Sequence, residues 1–258
     1  MSVTVDLNCD MGESFGAYTI GDDAAMLDIV TSANIACGFH GGDPLVMQRT
    51  VTLAKAKGIA IGAHPSFLDL WGFGRRPILG DTPDEIGQFV IYQIGALQAV
   101  AAAAGHRVGH VKLHGSLANM AQVDDDLANG VARAIRQVDR DLIFVVMPGM
   151  ATERAAERAG LRLAREVYAD RAYDADGNLA GRKLPAAVLH DADAATLRAL
   201  QMIDEQAIRT LAGTLLPVRI DSICVHGDNP AAVVMARTLR SALEQKGARI
   251  APFSDFVA

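Results

Sequence analysis

The sequence alternates short apolar runs with helix-like segments, and a polar residue follows nearly every apolar run. The segment Ser32–Pro44 has this pattern in its clearest form. Its small apolar run, Ala33–Cys37, predicts a buried strand, and a glycine-rich turn carrying His40 follows it. Asp43 and Pro44 then stand in the order of an N-cap and a first helical residue. One segment therefore predicts a strand, a polar loop and a helix start.

Seven apolar runs fit this scheme along the chain. They are Val3–Cys9, Ala33–Cys37, Ile59–Ala63, Gly109–Lys112, Leu142–Met147, Leu163–Val167 and Ser222–Val225. Strands that alternate with helices form βαβ units and a parallel sheet. Right-handed crossovers then place all the loops that follow the strands on one face. A length of 258 residues is ordinary for one α/β barrel, and no linker or repeat divides it. Residues 1–258 are therefore predicted to form a single barrel domain.

Helical patterns lie between these runs. The predicted helices are Asp22–Val30, Pro44–Lys57, a helix from Thr82 to Gly105, Asp124–Val138, Ala151–Ala159, Asp193–Gly213 and a last helix from Asn229 to about Lys246. The third begins with a capping box, Thr82 to Glu85, and has Pro83 at its first position. Residues 66–81 before it form a long loop, and loops of that length are uncommon unless they are functional.

Composition excludes several classes of protein. The net charge is −6 and no block of lysine or arginine is present, so nucleic acid and acidic membranes are poor partners. Three cysteines without a CxxC motif argue against a disulfide framework. The N-terminus lacks a cationic region followed by an apolar core, and the apolar run at Ala96–Ala104 is too short to span a membrane. A soluble cytoplasmic protein is expected.

Ionisable side chains stand at the ends of nearly all the predicted strands, where parallel α/β folds build their sites. They are Asp10, Glu13, His40, His64, Lys112, His114, Glu166, Asp170, His226 and Asp228. A single histidine after a strand more often stabilises a loop than binds a ligand. Four histidines in the same position favour a functional cluster, whereas His106 and His190 lack this placement and are predicted to be structural or surface residues.

Several residues of this group leave two interpretations open. Arg75 and Arg76 are suited either to bidentate binding of a carboxylate or phosphate, or to surface ion pairs. Trp71 and Phe73 fit either a lid or ordinary loop packing. Glu166 stands inside a strand end, and because an unpaired buried carboxylate is costly, it is predicted to be functional.

Histidines together with carboxylates can hold a divalent metal or perform acid–base chemistry near neutral pH. The sequence contains no HExxH, no GxxxxGK[ST] and no GxSxG motif. What remains is metal-assisted or acid–base hydrolysis.

Six motifs resemble the LamB/YcsF family, that of the 5-oxoprolinase A subunit, in order and over nearly the whole chain. They are DLNCDMGE (Asp6–Glu13), SANIACGFHGGDP (Ser32–Pro44), GAHPSFLDLWGFGRR (Gly62–Arg76), HVKLHGSLAN (His110–Asn119), EVYADRAY (Glu166–Tyr173) and CVHGDNP (Cys224–Pro230). The resemblance implies a distorted seven-stranded (β/α) barrel of the polysaccharide-deacetylase superfamily. It also implies hydrolysis of 5-oxo-L-proline to L-glutamate, with ATP converted to ADP and phosphate, and partner subunits B and C.

Two other functions stay open, namely a stand-alone metal-dependent amidohydrolase or deacetylase, and a non-catalytic binding subunit of the complex. The predicted catalytic residues are Asp10, Glu13, His40, His64, Lys112 and His114. The predicted substrate- or phosphate-binding residues are Asn8, Asp69, Arg75, Arg76, Glu166, Asp170, Arg171, His226 and Asp228. A divalent metal, if one is used, is expected on Asp10, His40, His64 and His114.

The stretch Lys112–Asn119 departs from the usual KPHGALYN of the family. Leu113 replaces a proline and Ala118 replaces a tyrosine, which leaves the exact lactam open. The sequence also leaves open which subunit uses ATP and whether the chain forms a homo-oligomer.

Overall fold

In the computed structural model, the chain closes seven parallel strands into a barrel. The structure describes residues 3–227 and 231–257. Their strands are β1 (Thr4–Met11), β2 (Ser32–Ala36), β3 (Ala60–His64), β4 (Val108–Lys112), β5 (Ile143–Val146), β6 (Arg162–Tyr168), β7 (Ala207–Arg209), β8 (Leu215–Pro217), β9 (Ser222–Cys224) and β10 (Arg249–Ile250). Strands β1 to β6 pair in sequence, and β9 closes the barrel by pairing with both β6 and β1. The predicted seven-stranded parallel barrel is confirmed.

Helices surround the barrel on its outside. They are α1 (Asp23–Met26), α2 (Pro44–Ala56), α3 (Pro83–Ala103), α4 (Gly115–Val123), α5 (Asp125–Val138), α6 (Ala151–Ala159), α7 (Ala192–Glu205) and α8 (Ala232–Gln245). The predicted caps are present: Asp43 accepts hydrogen bonds from the first backbone amides of α2, and Thr82 and Glu85 form the capping box of α3. These local signals placed the helix starts correctly.

Three helix predictions need correction. The predicted helix Asp193–Gly213 ends at Glu205, because Gln206 takes a left-handed conformation and the chain continues into the antiparallel hairpin of β7 and β8. The helix α4 was missed, since it begins directly after His114 without a capping side chain. The predicted helix Asp22–Val30 shortens to the single turn of α1. The predicted start of the last helix at Asn229 lies outside the described residues.

The helix α3 is the one described helix that is long and apolar enough to cross a membrane. It packs against α2, α5 and the barrel strands β3 and β4. Ile86, Val90, Ile94 and Leu97 are buried on its inner face. Packing of this face against α5 and the barrel accounts for its inner apolar residues.

Alternate residues of β1 have opposite surroundings, as the pleat of a strand requires. Val5, Leu7 and Cys9 belong to the apolar core between barrel and helices. Asp6 and Asn8 point the other way and bond to side chains of other strands across the barrel. The barrel interior is therefore polar and connected by hydrogen bonds.

The middle of this interior is tightly packed. The side-chain amide of Asn34 donates to Asn8 Oδ1 at 2.8 Å and to Asp10 Oδ1 at 2.9 Å. His110 Nε2 donates to Asn34 Oδ1 at 2.8 Å. The imidazole of His110 lies against Gly62, where an added Cβ would come within 2.0 Å of the ring. Glycine at this position is thus required by the ring on the neighbouring strand.

Asp6 is fully buried inside the barrel, and we expect it to make the stability of the protein depend on pH. Burial raises the pKa of Asp6 from 3.8 to about 6, although hydrogen bonds from Ser222, Ser32 and Thr31 oppose this shift. The folded state then holds the proton more tightly than the unfolded state. Its contribution is complete below about pH 4 and is lost as the pH rises through about 6, which amounts to about 3 kcal/mol.

We expect the unfolding free energy of the wild type, relative to Asp6→Asn, to fall by that amount between about pH 4 and 7. Urea denaturation at a series of pH values measures it. The asparagine variant keeps an acceptor oxygen but has no titrating proton, so parallel pH profiles for the two proteins would contradict the assignment.

Candidate active site

A cavity of about 400 Å³, lined by both charged and apolar residues, opens at the carboxyl ends of the barrel strands. Its wall includes residues that follow β1, β3, β4, β6 and β9, together with the beginning of α4 and the segment Leu179–Leu184. The expectation that the loops after the strands meet on one face is met. The cavity-lining residues that the sequence predicted are Asp10, Glu13, His64, Arg75, Lys112, His114, Arg171 and His226.

Four buried side chains cluster at one side of the cavity. Glu13 Oε1 lies 3.1 Å from His40 Nε2 and 3.3 Å from His114 Nδ1. His114 Nδ1 lies 3.0 Å from His64 Nε2, and the rings of His40 and His114 stack with centroids 3.7 Å apart. Each of the four offers one ligand atom within 4.8 Å of the others. We call Glu13, His40, His64 and His114 the histidine cluster.

Backbone carbonyls fix the tautomers of two of these histidines. His64 Nδ1 donates to the carbonyl of Lys112 at 2.7 Å, and His114 Nε2 donates to the carbonyl of Phe73 at 2.9 Å. In the neutral rings, His64 Nε2 and His114 Nδ1 then carry lone pairs and face each other. Two lone pairs at 3.0 Å repel unless a positive charge lies between or beside them.

Two carboxylates beside these ring nitrogens also favour a positive charge at this position. Asp10 Oδ2 lies 3.3 Å from His64 Nε2, and Glu13 Oε1 lies at the same distance from His114 Nδ1. Burial lowers the pKa of both His40 and His114 well below the ordinary value, so protonation of these rings does not readily supply the charge. The donor set of imidazole nitrogens and carboxylate oxygens fits a divalent cation such as Zn²⁺.

Lys112 supplies a second centre of charge beside the cluster. Its Nζ lies 2.9 Å from Asp10 Oδ1, 3.0 Å from Glu166 Oε1 and 3.0 Å from Cys224 Sγ. Burial opposes the charge of Lys112, but the carboxylates of Asp10 and Glu166 outweigh it and raise the pKa of Lys112 well above its ordinary value. Burial likewise opposes ionisation of Asp10, yet His64 and Lys112 hold the pKa of Asp10 well below the ordinary value. The pair is therefore ionised at neutral pH.

His226 and Asp170 form a dyad across the cavity. His226 Nδ1 donates to the Asp170 carboxylate at 2.8 and 3.0 Å, and the ring of Tyr168 stacks on the imidazole at 5.4 Å. Burial would raise the pKa of Asp170, but His226 and Arg171 hold it below the ordinary value. With Nδ1 engaged, His226 Nε2 carries the lone pair, and Arg182 Nη2 lies 3.3 Å from it. This arrangement suits a histidine that accepts and returns a proton.

Some predicted site residues do not reach the cavity wall. Arg76 pairs with Asp69, whose carboxylate also accepts from the backbone amide of Gly72, so the ion-pair alternative describes Arg76 and the pair braces the loop. Asn8 lies deeper in the barrel, where its amide donates to Glu166 at 2.8 Å. Arg76, Asp69 and Asn8 therefore do not line the cavity, and none of them is placed to contact a substrate there directly. Asp228 lies outside the described residues.

The two aromatic residues of the long loop have different surroundings. Trp71 is 93% exposed, which excludes ordinary loop packing for its ring. Phe73 instead packs edge-on against the rings of His40 and His114 at 5.6 and 5.2 Å. The loop thus helps to position the histidine cluster through both the ring and the carbonyl of Phe73.

Sequence reasoning missed several residues of the cavity wall. They are Asn119 and Gln122 on α4, Tyr168 at the end of β6, and the basic pair Arg182 and Lys183. Chain position could have identified Arg182 and Lys183, because the polar segment that follows β6 begins at the same end of the barrel as the predicted site. Leu113 and Ala118, the two departures from the family pattern, also line the cavity.

Comparison with known proteins gives a consistent result. The model of the LamB/YcsF family matches residues 5–258. A relative from Rhodopseudomonas palustris (strain BisB5), named as the A subunit of 5-oxoprolinase, is 56% identical over 250 residues, which cover 97% of this chain and 98% of that protein. The crystal structure of a lactam utilization protein from Thermus thermophilus matches with a TM-score of 0.90 at 44% identity, covering 96% of this chain and 99% of that one.

A more distant match concerns the fold alone. The catalytic domain of peptidoglycan N-acetylglucosamine deacetylase from Eubacterium rectale has a TM-score of 0.53 at 9% identity, and the match covers 98% of this chain and 89% of that chain. The predicted barrel of the polysaccharide-deacetylase type is confirmed.

Proposed function

The chain belongs to the LamB/YcsF family, and from this we propose that it is the A subunit of a 5-oxoprolinase that hydrolyses the lactam amide of 5-oxo-L-proline to L-glutamate. The observation that carries the proposal is the cavity at the strand ends, where Glu13, His64 and His114 of the histidine cluster line a common space together with Lys112 and His226. His40 and Asp170 lie behind this wall and bond to Glu13 and His226. Hydrolysis of an amide needs groups that stabilise an oxyanion and groups that move protons, and the cavity wall holds both kinds.

Lys112 is assigned to charge stabilisation. Its high pKa keeps it an ammonium group at neutral pH, so it does not act as a base. Fixed in place by Asp10 and Glu166, it favours negative charge on an oxygen bound in the cavity, with little reorganisation during the reaction.

His226 is assigned to proton transfer. Its Nε2 accepts a hydrogen bond from Arg182 Nη2 at 3.3 Å, and a water that replaces this donor gives its proton to Nε2, while Asp170 holds the ring and stabilises the imidazolium that forms. The same nitrogen returns the proton to the ring nitrogen of the lactam when the C–N bond breaks. This step frees the amine, and the carboxylate follows when the acyl phosphate left on the carbon is hydrolysed.

The proposal includes a divalent cation. Glu13, His40, His64 and His114 would hold it, with Asp10 beside them, because their fixed lone pairs converge and His40 Nδ1 has no partner among the described residues. A cation bound there would act as a Lewis acid toward the carbonyl or phosphoryl oxygen of a substrate.

ATP is the proposed co-substrate, since a five-membered lactam is an unstrained amide and resists opening by water. Transfer of the γ-phosphoryl group to the lactam oxygen releases ADP and makes the ring carbon open to attack by water. Cleavage of the C–N bond then leaves an acyl phosphate, and a second water hydrolyses it to the carboxylate and inorganic phosphate. The similarity to an A subunit in Rhodopseudomonas palustris supports partner subunits B and C in this complex. The nucleotide is assigned to the complex as a whole.

A second function is favoured by one observation, the histidine cluster itself. Imidazole and carboxylate ligands with fixed orientation are also what a stand-alone metal-dependent amidohydrolase requires. Such an enzyme would act without ATP and without partners.

Reconstitution tests the proposal. We expect the purified chain, mixed with subunits B and C, ATP and 5-oxo-L-proline, to form L-glutamate and ADP in equal amounts, and expect omission of any subunit to stop both. Glutamate formation by this chain alone, with a divalent metal and no ATP, would instead establish the amidohydrolase. Full activity of B and C without this chain would refute its role as the A subunit, and absence of glutamate formation by the chain alone with a divalent metal would refute the amidohydrolase acting on this lactam.

A further inference from the structure

Arg171 is a buried guanidinium in the cavity wall with an unsatisfied donor. The residue is 6% exposed. Its Nη2 donates to the carbonyl of Ala180 at 2.7 Å, but its Nε, which is fully buried, has no hydrogen-bond partner among the described residues. A buried N–H of a charged group without an acceptor is costly, because its hydration is lost and not replaced. Nε is closed off from the cavity, so a ligand there meets the cavity-facing part of the guanidinium, and its negative charge would offset the cost of burying the cation.

The position of Arg171 is fixed by its backbone. Its carbonyl accepts a hydrogen bond from Arg198 Nη1 at 2.9 Å, and the residue pairs with Val188 in a β-bridge. The carboxylate next to it in the chain, Asp170, is engaged by His226. Asp170 thus partly offsets the charge of Arg171 from the adjacent position, but its hydrogen bonds go to His226 and leave the N–H groups of the guanidinium to other acceptors.

Other cations surround the same space. Arg75, Arg182 and Lys183 line the cavity together with Arg171. Arg75 lies over the ring of Phe73 at 4.8 Å and is close enough for its charge to oppose that of Arg171. Cations that approach one another at a cavity wall favour an anionic ligand between them.

The shape of the guanidinium, rather than charge, restricts the anion. Asp10 and Glu13 line the same cavity and reduce its positive charge without cancelling that of Arg75, Lys112, Arg171, Arg182 and Lys183, so charge alone does not separate a carboxylate from a phosphate. A guanidinium with free N–H groups matches the two oxygens of a carboxylate.

We propose that Arg171, assisted by Arg75, binds the carboxylate of the substrate and makes the site selective for lactams that carry an acid group beside the ring nitrogen. The identity of the lactam rests on the proposed function. The carboxylate holds the ring against the wall formed after β6, which leaves the amide facing Lys112 and the histidine cluster.

Equilibrium binding to the purified chain tests this. The probes are 5-oxo-L-proline, 2-pyrrolidinone, which has the same ring without the carboxylate, and inorganic phosphate. We expect Arg171→Met to weaken binding of 5-oxo-L-proline about 30-fold and Arg171→Lys about tenfold, because lysine keeps the charge but not the paired N–H groups. Binding of 2-pyrrolidinone should be weak and equal in all three proteins.

Arg133→Met is the matched control. Arg133 lies on α5 in an exposed ion pair with Asp84, away from the cavity, so its loss should leave binding unchanged. Circular dichroism of each variant shows whether the fold is kept. Loss of binding to both lactams alike in a folded Arg171→Met protein would overturn the proposal, as would unchanged binding of 5-oxo-L-proline or no binding by the wild type. The proposal would also be overturned if phosphate bound to the chain and the affinity for 5-oxo-L-proline were the same in the wild type and the Arg171 variants.

Turnover by the three-subunit complex separates this inference from the proposed function. Binding that depends on Arg171 without any glutamate formation supports the carboxylate subsite and refutes the oxoprolinase. Glutamate formation in which Arg171→Met raises KM about 30-fold while kcat changes little supports both. Glutamate formation with an unchanged KM refutes the subsite alone.

Discussion

Replacement of His64 by alanine is expected to lower glutamate formation by the three-subunit complex about 1,000-fold. His64 is the residue that joins the histidine cluster to the ion pair, since its Nε2 lies 3.0 Å from His114 Nδ1 and 3.3 Å from Asp10 Oδ2. Without it, the cluster loses one of its two lone pairs of fixed direction, and Asp10 loses a partner. In the proposed mechanism, these groups would hold the cation and orient the lactam oxygen.

Initial rates of glutamate release measure the effect, and metal analysis of the purified chain gives an independent readout. His64→Ala should lose any tightly bound divalent metal that the wild type retains. His106→Ala is the matched control, because His106 bonds to the carbonyl of Ile59 and stands before β4 rather than after a strand. A His64→Ala complex with more than about a tenth of the wild-type rate would refute a catalytic role for the cluster.

Replacement of Lys112 by methionine is expected to lower the unfolding free energy by about 3–5 kcal/mol. Lys112 is 3% exposed and lies between two carboxylates, Asp10 and Glu166, that are similarly shielded from water. The methionine fills a similar volume but leaves both acids without a counter-charge. That cost exceeds the loss of any single surface contact.

Urea denaturation at neutral pH measures this change. Lys57→Met, which removes an exposed ion pair with Asp28, should cost less than about 1 kcal/mol. The double variant Lys112→Met with Glu166→Gln should be more stable than the sum of the single changes predicts, because one of the uncompensated charges is gone. A loss below about 1 kcal/mol for Lys112→Met would show that the buried pair is not ionised.

Local signals in the sequence predicted most of the fold. The caps at Asp43 and Thr82, and the alternation of apolar runs with helical patterns, depend on neighbours a few residues apart, which a sequence displays. The hairpin of β7 and β8 was missed because it depends on the left-handed conformation of Gln206. Glycine or asparagine usually occupies such a position, so a glutamine there gives no signal of a helix end.

The site was predicted only in part for a different reason. Strand order predicts that His40, His64 and His114 share one barrel end, but not which nitrogen of each ring faces the others. Those orientations are set by the backbone carbonyls of Lys112 and Phe73, which every residue type possesses. A sequence carries no signal for such contacts.

The polar interior of the barrel also connects the amino-terminal ends of the strands with the candidate active site. Hydrogen bonds and ion pairs lead from Asp6 through Ser222 and Asn8 to Glu166, and from there through Lys112 to the site. Filling this space with valine or leucine would remove the groups that aim Lys112 and Asp10. The same polar side chains therefore stabilise the barrel and position Lys112 and Asp10. Substitutions that would stabilise the interior by making it apolar would also disturb the candidate site.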